Sequence, residues 1–179
     1  IYFLGFSQSY YYNLKIQFAD INRDTKIDLV FTGTSFQTGL TQLYYIPNQG
    51  SSQSDFSNQT VQPVNFTISS SENILVTDVN KDGQPDLLVG KTTGALQYWQ
   101  NSGPEGSLVF SLEDESFLEL GSTVLRQNIA CYVSDFDGDG KSDLVYGDQQ
   151  GQLNIIGNFR EAANVIDAIT DLTFNPLSG

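Results

Sequence analysis

Oxygen-bearing side chains recur through this chain at a spacing suited to a hard cation. Asp20, Asn22, Asp24 and Asp28 stand at positions one, three, five and nine of the segment Asp-Ile-Asn-Arg-Asp-Thr-Lys-Ile-Asp. Asp78, Asn80, Asp82 and Asp86 fill the same places in a second segment, and Asp135, Asp137, Asp139 and Asp143 in a third. Calcium takes about six to eight oxygens at about 2.3–2.6 Å. Alternate positions aim three short side chains into one concavity as the chain curls. Position seven can add a backbone carbonyl (Lys26, Gln84, Lys141), and the ninth residue closes the set. Magnesium prefers a tight octahedron and keeps its waters. With no histidine and a single cysteine, the donors do not suit zinc, copper or iron. The expected chemistry is cation binding, with two to three calcium ions per chain; the alternative is plain turns, which Asp, Asn and Gly also form between strands.

An EF-hand shares positions one, three and five and the glycine at six, but it needs a bidentate Glu at twelve and flanking helices. Position twelve here is Phe31, Val89 or Tyr146, inside apolar runs that read as strands. The three copies are unequal. Gly83 and Gly140 occupy position six, where a sharp turn wants a permissive backbone, whereas Thr25 is β-branched and resists positive φ. The first site is therefore expected to be the weakest or to use a different turn, and the third, with Asp at one, three, five and nine, the strongest.

The first Asp recurs after 58 and then 57 residues, so the loops are parts of a repeat. Each is preceded by a strand-like segment (14–18, 74–76, 129–133) and followed by a second strand, a turn and a third strand. Gly90 and Gly94 align with Gly147 and Gly151, which marks residues 89–94 and 146–151 as hairpin turns. The first copy carries about five extra residues there, read as an extended loop from Thr32 to Gly39. Polar stretches at 49–60 and 101–107 lead to aromatic fourth strands around Phe66 and Phe110, and residues 172–177 repeat that strand pattern. Helical periodicity is confined to a weak stretch at 161–169. The chain reads as all-β, a partial β-propeller of about three four-stranded blades. Because propellers typically have 4–8 blades, further blades or another chain are expected to complete it. Both ends fall in mid-pattern, at Ile1-Tyr-Phe-Leu and Leu177-Ser-Gly, so residues 1–179 are expected to form one repeat region of a larger propeller.

Composition narrows the partners. Twenty-one acids stand against eight bases, a formal charge of −13, and ten of those acids lie in the three loops. Such a chain, without a basic stripe, should repel nucleic acid and anionic lipid. No apolar run is long enough to insert in a membrane. Cys131, alone in an alternating strand pattern, reads as a buried thiol rather than a nucleophile.

The phrase Asp-x-(Asp/Asn)-x-Asp-Gly-x-x-Asp-Leu-(Leu/Val)-x-Gly resembles the FG-GAP/VCBS repeat of integrin-α-like β-propellers, and three copies cover nearly the whole chain. The resemblance implies a calcium-binding loop on the edge of each blade, with a structural role. The ligand sets it implies are Asp20, Asn22, Asp24, Lys26 and Asp28; Asp78, Asn80, Asp82, Gln84 and Asp86; and Asp135, Asp137, Asp139, Lys141 and Asp143. The first set departs from the pattern at Thr25. The long period, with Leu-Gln-Tyr-Trp-Gln-Asn-Ser-Gly after the hairpin, is similar to secreted or surface proteins of Bacteroidetes. An extracellular or cell-surface location follows from the resemblance. In a eukaryotic secretory setting, Asn58 and Asn65 would be glycan acceptors.

No catalytic constellation is visible. The absence of histidine removes the usual general base, and there is no nucleophile elbow, phosphate loop or dinucleotide turn. Glu113, Glu115 and Glu119 read as a solvated loop rather than paired catalytic carboxylates. Trp99 and Tyr45 read as packing between blades, while Tyr10, Tyr12 and Phe36 are surface candidates for a protein or glycan partner. The expected function is a non-catalytic calcium-stabilised scaffold for adhesion or protein assembly. The alternative is an accessory glycan-binding propeller of a polysaccharide-degrading enzyme, which an exposed aromatic pair beside polar side chains would favour.

Overall fold

A computed structural model describes residues 10–51, 53–56, 60–104 and 106–163. Eleven strands form three antiparallel sheets, each a simple meander. The first holds β1 (Tyr11–Ala19), β2 (Asp28–Ser35), β3 (Thr41–Ile46) and β4 (Gln62–Ile68). The second holds β5 (Asn73–Thr77), β6 (Asp86–Gly90), β7 (Leu96–Asn101) and β8 (Phe110–Asp114). The third holds β9 (Ala130–Ser134), β10 (Asp143–Gly147) and β11 (Leu153–Ile156), followed by the short helix α1 (Phe159–Ala162). This is a partial β-propeller. The third blade has three described strands; the expected fourth, at 172–177, lies outside the described residues, as do residues 1–4, the Asn58 sequon and most of the stretch at 161–169.

The second strand of each blade follows directly from its sequence. β2 and β6 are buried on both faces: Val30 faces the second blade while Leu29 and Phe31 pack with Tyr44 and Ile46, and β6 has a blade on each side. That is why Leu-Val-Phe and Leu-Leu-Val run without polar alternation. One face of β6 (Leu87, Val89) joins Ile21, Val30, Leu43, Val64 and Phe66 of the first blade in a shared core. The other face (Leu88) joins Leu96, Tyr98, Ile129, Leu144 and Tyr146 in a core shared with the third blade. Trp99 and Tyr45 pack at the edge of the first of these cores, with Trp99 edge-on to Phe66 at 5.0 Å between ring centroids. A single 3-10 turn at Phe117–Glu119 drives Phe117 and Leu118 into the second core, at the cost of left-handed backbone at Leu118 (φ 56°) and Glu119 (φ 59°).

The extra residues of the first copy do not make a long loop. β2 continues through Ser35, and Thr32 and Thr34 are buried; only Phe36–Gly39 form the turn. Alternation was compatible with strand there, and the Thr34–Thr41 hydroxyl pair (2.7 Å) extends the hairpin.

Side-chain amides tie one blade to the next. Gln17 of β1 donates to Ile74 O and accepts from Val76 N of β5, at 3.0 and 2.8 Å, so one amide mimics a strand neighbour. Asn73 of β5 donates to Ile129 O at 2.9 Å, one half of the same device.

Gly90 is required for closeness rather than for its backbone angle. A Cβ there would lie 1.9 Å from Ile129 O in the next blade, whereas one at the aligned Gly147 meets nothing nearer than 3.4 Å. Gly90→Ala should therefore cost about 1–3 kcal/mol in urea unfolding, and Gly147→Ala within about 0.5 kcal/mol. Equal losses at the two positions would show that sheet-to-sheet approach is not what selects glycine at 90.

Candidate metal centre

Each loop is anchored by its ninth residue. Asp28, Asp86 and Asp143 are almost completely buried, and their carboxylates accept the same pair of backbone donors. One oxygen takes the N–H of position two: Ile21 (3.3 Å), Val79 (3.0 Å) or Phe136 (2.9 Å). The other takes the N–H of an asparagine at or just past the end of the third strand: Asn48, Asn101 or Asn158, each at 2.9 Å. In the second blade the hydroxyl of Tyr98 adds a third donor at 3.2 Å. Burial pushes the Asp28 and Asp86 carboxyls above the ordinary carboxylate range, opposed by these N–H groups, and burial beside Asp86 also raises the Tyr98 hydroxyl.

Positions one, three and five fold the loop around themselves. The position-one carboxylate accepts the N–H of residue six (Thr25, Gly83 or Gly140) at 2.9–3.0 Å. Position three accepts from residue five, and position five from residue seven, in successive Asx turns. The curl needs left-handed backbone twice, at position four (Arg23, Lys81, Gly138) and position six. Thr25 adopts it at φ 69°, so the first loop uses the same turn as the others, contrary to one of the two expectations drawn from its β-branch. Such a conformation costs a non-glycine residue roughly 1–2 kcal/mol, which the hydrogen bonds of the loop must offset.

The donor chemistry fits a hard cation. In the third loop, carboxylate oxygens of Asp135, Asp137 and Asp143 come within 4.8 Å of one another. Asp139 is outside that group; its Oδ1 accepts the Lys141 N–H at 2.8 Å. In the first two loops position three is Asn, which offers an amide oxygen in place of a carboxylate. In the second loop, Asp78 Oδ1 is buried with no hydrogen-bond donor among the described residues. A carboxylate oxygen so placed costs free energy unless something positive meets it. The side chains at position seven turn to other work. Gln84 Oε1 accepts from Arg23 Nη1 at 2.9 Å, and Lys141 pairs with Glu161 at 3.0 Å on the surface.

The aromatic surface candidates lie together on the first blade. Tyr12 and Phe36 are exposed, with ring centroids 4.7 Å apart, and Tyr10 O accepts the Phe36 N–H. Their planes are tilted by 47°, so the rings pack on each other rather than forming one flat platform. Glu113, Glu115 and Glu119 are exposed. Cys131 is half-buried against the core between the second and third blades, and burial raises its thiol to about 12.

Two features of the site were not read from sequence. The asparagines Asn48 and Asn101 each use their side-chain oxygen to hold two further N–H groups, Gly50 and Asp55 or Gly103 and Val109. Their alignment in the repeat was visible, and it was the signal available. Arg160, which reaches back to the second loop, sits in a segment without a counterpart in the other copies and carried no signal.

The FG-GAP-like repeat model matches residues 20–89 and again 78–146. No curated protein and no solved structure matches the chain.

Removing the Asp86 carboxylate strands three buried or part-buried donors. Asp86→Ala should cost about 2–5 kcal/mol in denaturant unfolding carried out in chelator. A loss under about 1 kcal/mol would mean that the anchor is dispensable and that the loop is held by its own turns.

Proposed function

Since the chain belongs to the FG-GAP-like repeat family, we propose that it is a non-catalytic, calcium-stabilised propeller scaffold of a secreted or cell-surface protein, serving adhesion or protein assembly. The observation that carries this reading is the threefold recurrence of one arrangement: a buried anchoring Asp, with further loop carboxylates left at the surface on the same connection of every blade. Asp135, Asp137 and Asp143 would hold one ion, and the Asp78 loop, with its unmatched oxygen, another. Bound calcium would supply positive charge to carboxylates that otherwise repel one another. Three such ions would bring the formal charge from −13 to about −7. Among the described residues no helix is long and apolar enough to cross a membrane.

Assembly is supported by the outward face of the third blade. Tyr132, Phe136 and Leu153 are 62%, 49% and 78% exposed. Their counterparts one repeat earlier, Leu75, Val79 and Leu96, pack into the core against the third blade. The same register therefore makes an interface once and an open apolar face once. The occupant that fits is a further blade of this repeat, from the same polypeptide or a second one.

Calorimetric titration with calcium should saturate at two to three ions, and the melting temperature should fall on chelation. No heat and no shift would sink the calcium reading. Sedimentation velocity across a concentration series should show self-association of this chain, reduced by Tyr132→Glu with Leu153→Glu. A monomer at every concentration, unaltered by the substitutions, would count against the face as an interface.

A further inference from the structure

The second acidic loop is gripped from both neighbouring blades. Arg160, in α1 beyond the third blade, donates from Nη2 to Asp78 O at 2.6 Å and from Nε to Val79 O at 3.1 Å. Arg23, in the first loop, donates to the Gln84 side chain at 2.9 Å. These contacts span 61 to 82 residues of sequence and bracket the loop near its start and near its end. Neither takes an oxygen expected to face a cation, since those are the side chains at one, three, five and nine and the backbone carbonyl at seven. Arg160 is fixed in turn: its guanidinium lies 4.8 Å from the ring centroid of Phe159, and Phe159 is fully buried in the core between the second and third blades. Among the described residues the third loop has no such grip: its hydrogen-bond partners lie in its own blade or in α1, its one lysine is drawn outward to Glu161, and Asp135 through Lys141 are exposed.

We propose that Arg23 and Arg160 are positioning residues that keep the second loop formed without an ion, so that it is a prebuilt receptor while the third loop takes shape only on loading. This rests on the calcium reading above. Ordering a chain segment costs free energy at the moment of binding unless it has been ordered beforehand. A clamp on backbone carbonyls orders the second loop in advance and leaves Asp78 Oδ1 as its unmatched acceptor. The third loop concentrates four carboxylates with no cross-blade restraint among the described residues, so repulsion opens it when no cation is present.

Hydrogen exchange of the whole chain, with calcium and with chelator, separates the two loops. The amides to follow are Asp82, Gly83 and Gln84 against Asp139, Gly140 and Lys141, all bonded to loop side chains. Chelation should speed exchange in the third loop by about tenfold or more and in the second by less than about threefold. In Arg160→Ala, and separately in Arg23→Ala, the second loop should become as sensitive to chelation as the third, while β6 amides stay protected. Loss of β6 protection in one variant would mark unfolding, and the other variant then decides. Equal sensitivity of both loops in the unsubstituted chain, or insensitivity of the second loop in both variants, overturns the proposal. Absence of calcium binding by calorimetry overturns the calcium reading, and the proposal with it.

Discussion

The buried carboxylate at the ninth position of each loop is the constraint on which the rest depends. Asp28, Asp86 and Asp143 are the first residues of β2, β6 and β10, strands flanked on both sides by hydrogen-bonded neighbours. A charged group there is tolerable only if its lone pairs are met. They are met by backbone N–H groups from two separate places, the loop before the strand and the chain at or just past the end of the third strand. One side chain thus fixes the entry to a strand and the exit from the strand paired beside it. Were that carboxylate lost, the buried amides would have no acceptor, and both the loop and the blade edge would be released together.

From that anchor the alternating strands follow. Because Asp86 sets the register of β6, Leu87 and Val89 must face the first blade and Leu88 the third. A slip of one residue would exchange the two faces and bury Asp86 against apolar side chains without donors. The polar anchor and the apolar packing therefore specify the same register. Gln17 and Asn73 extend this across blades, supplying hydrogen bonds where adjacent sheets do not pair by backbone.

Much of this was legible because the repeat states each rule three times. The Asp spacing, the strand that follows it and the aligned glycines placed ten of the eleven strands within a few residues, and the anchoring Asp was recognised as part of the loop, although as a ligand rather than a buried acceptor. Its burial could not be read, since an Asp before a strand looks the same whether it meets water, metal or amides. Thr25 was misleading in part because local preference was weighed alone; Asp20 and Asp24 supply enough hydrogen bonds to hold it left-handed. Position four hid for a related reason, since only Gly138 declares a positive φ, while Arg23 and Lys81 do not. Thr32 to Ser35 are ambiguous in sequence because an insertion in a hairpin can lengthen either the turn or the strands, and here it lengthens β2. Contacts made once, such as those of Arg160, have no second copy to reveal them.

The bases show how the charge imbalance is kept. All three arginines lie between elements distant in sequence, and Arg126 and Arg160 each donate to two backbone carbonyls. Two of the lysines pair with acids, but those acids, Glu72 and Glu161, lie outside the loops. Among the described residues no carboxylate at positions one, three, five or nine has an ion-pair partner. Lys15, Arg23, Arg126 and Arg160 instead join neighbouring blades, and three of these four do so on backbone carbonyls. The loop acids are left with neutral donors, the backbone and side-chain amides and, at Asp86, the Tyr98 hydroxyl. Their dipoles can orient a carboxylate but cannot cancel its charge, so the repulsion within each loop persists for as long as only the chain's own groups surround it. The same economy that joins the blades thus leaves the loops as the places where an external cation has most to offer.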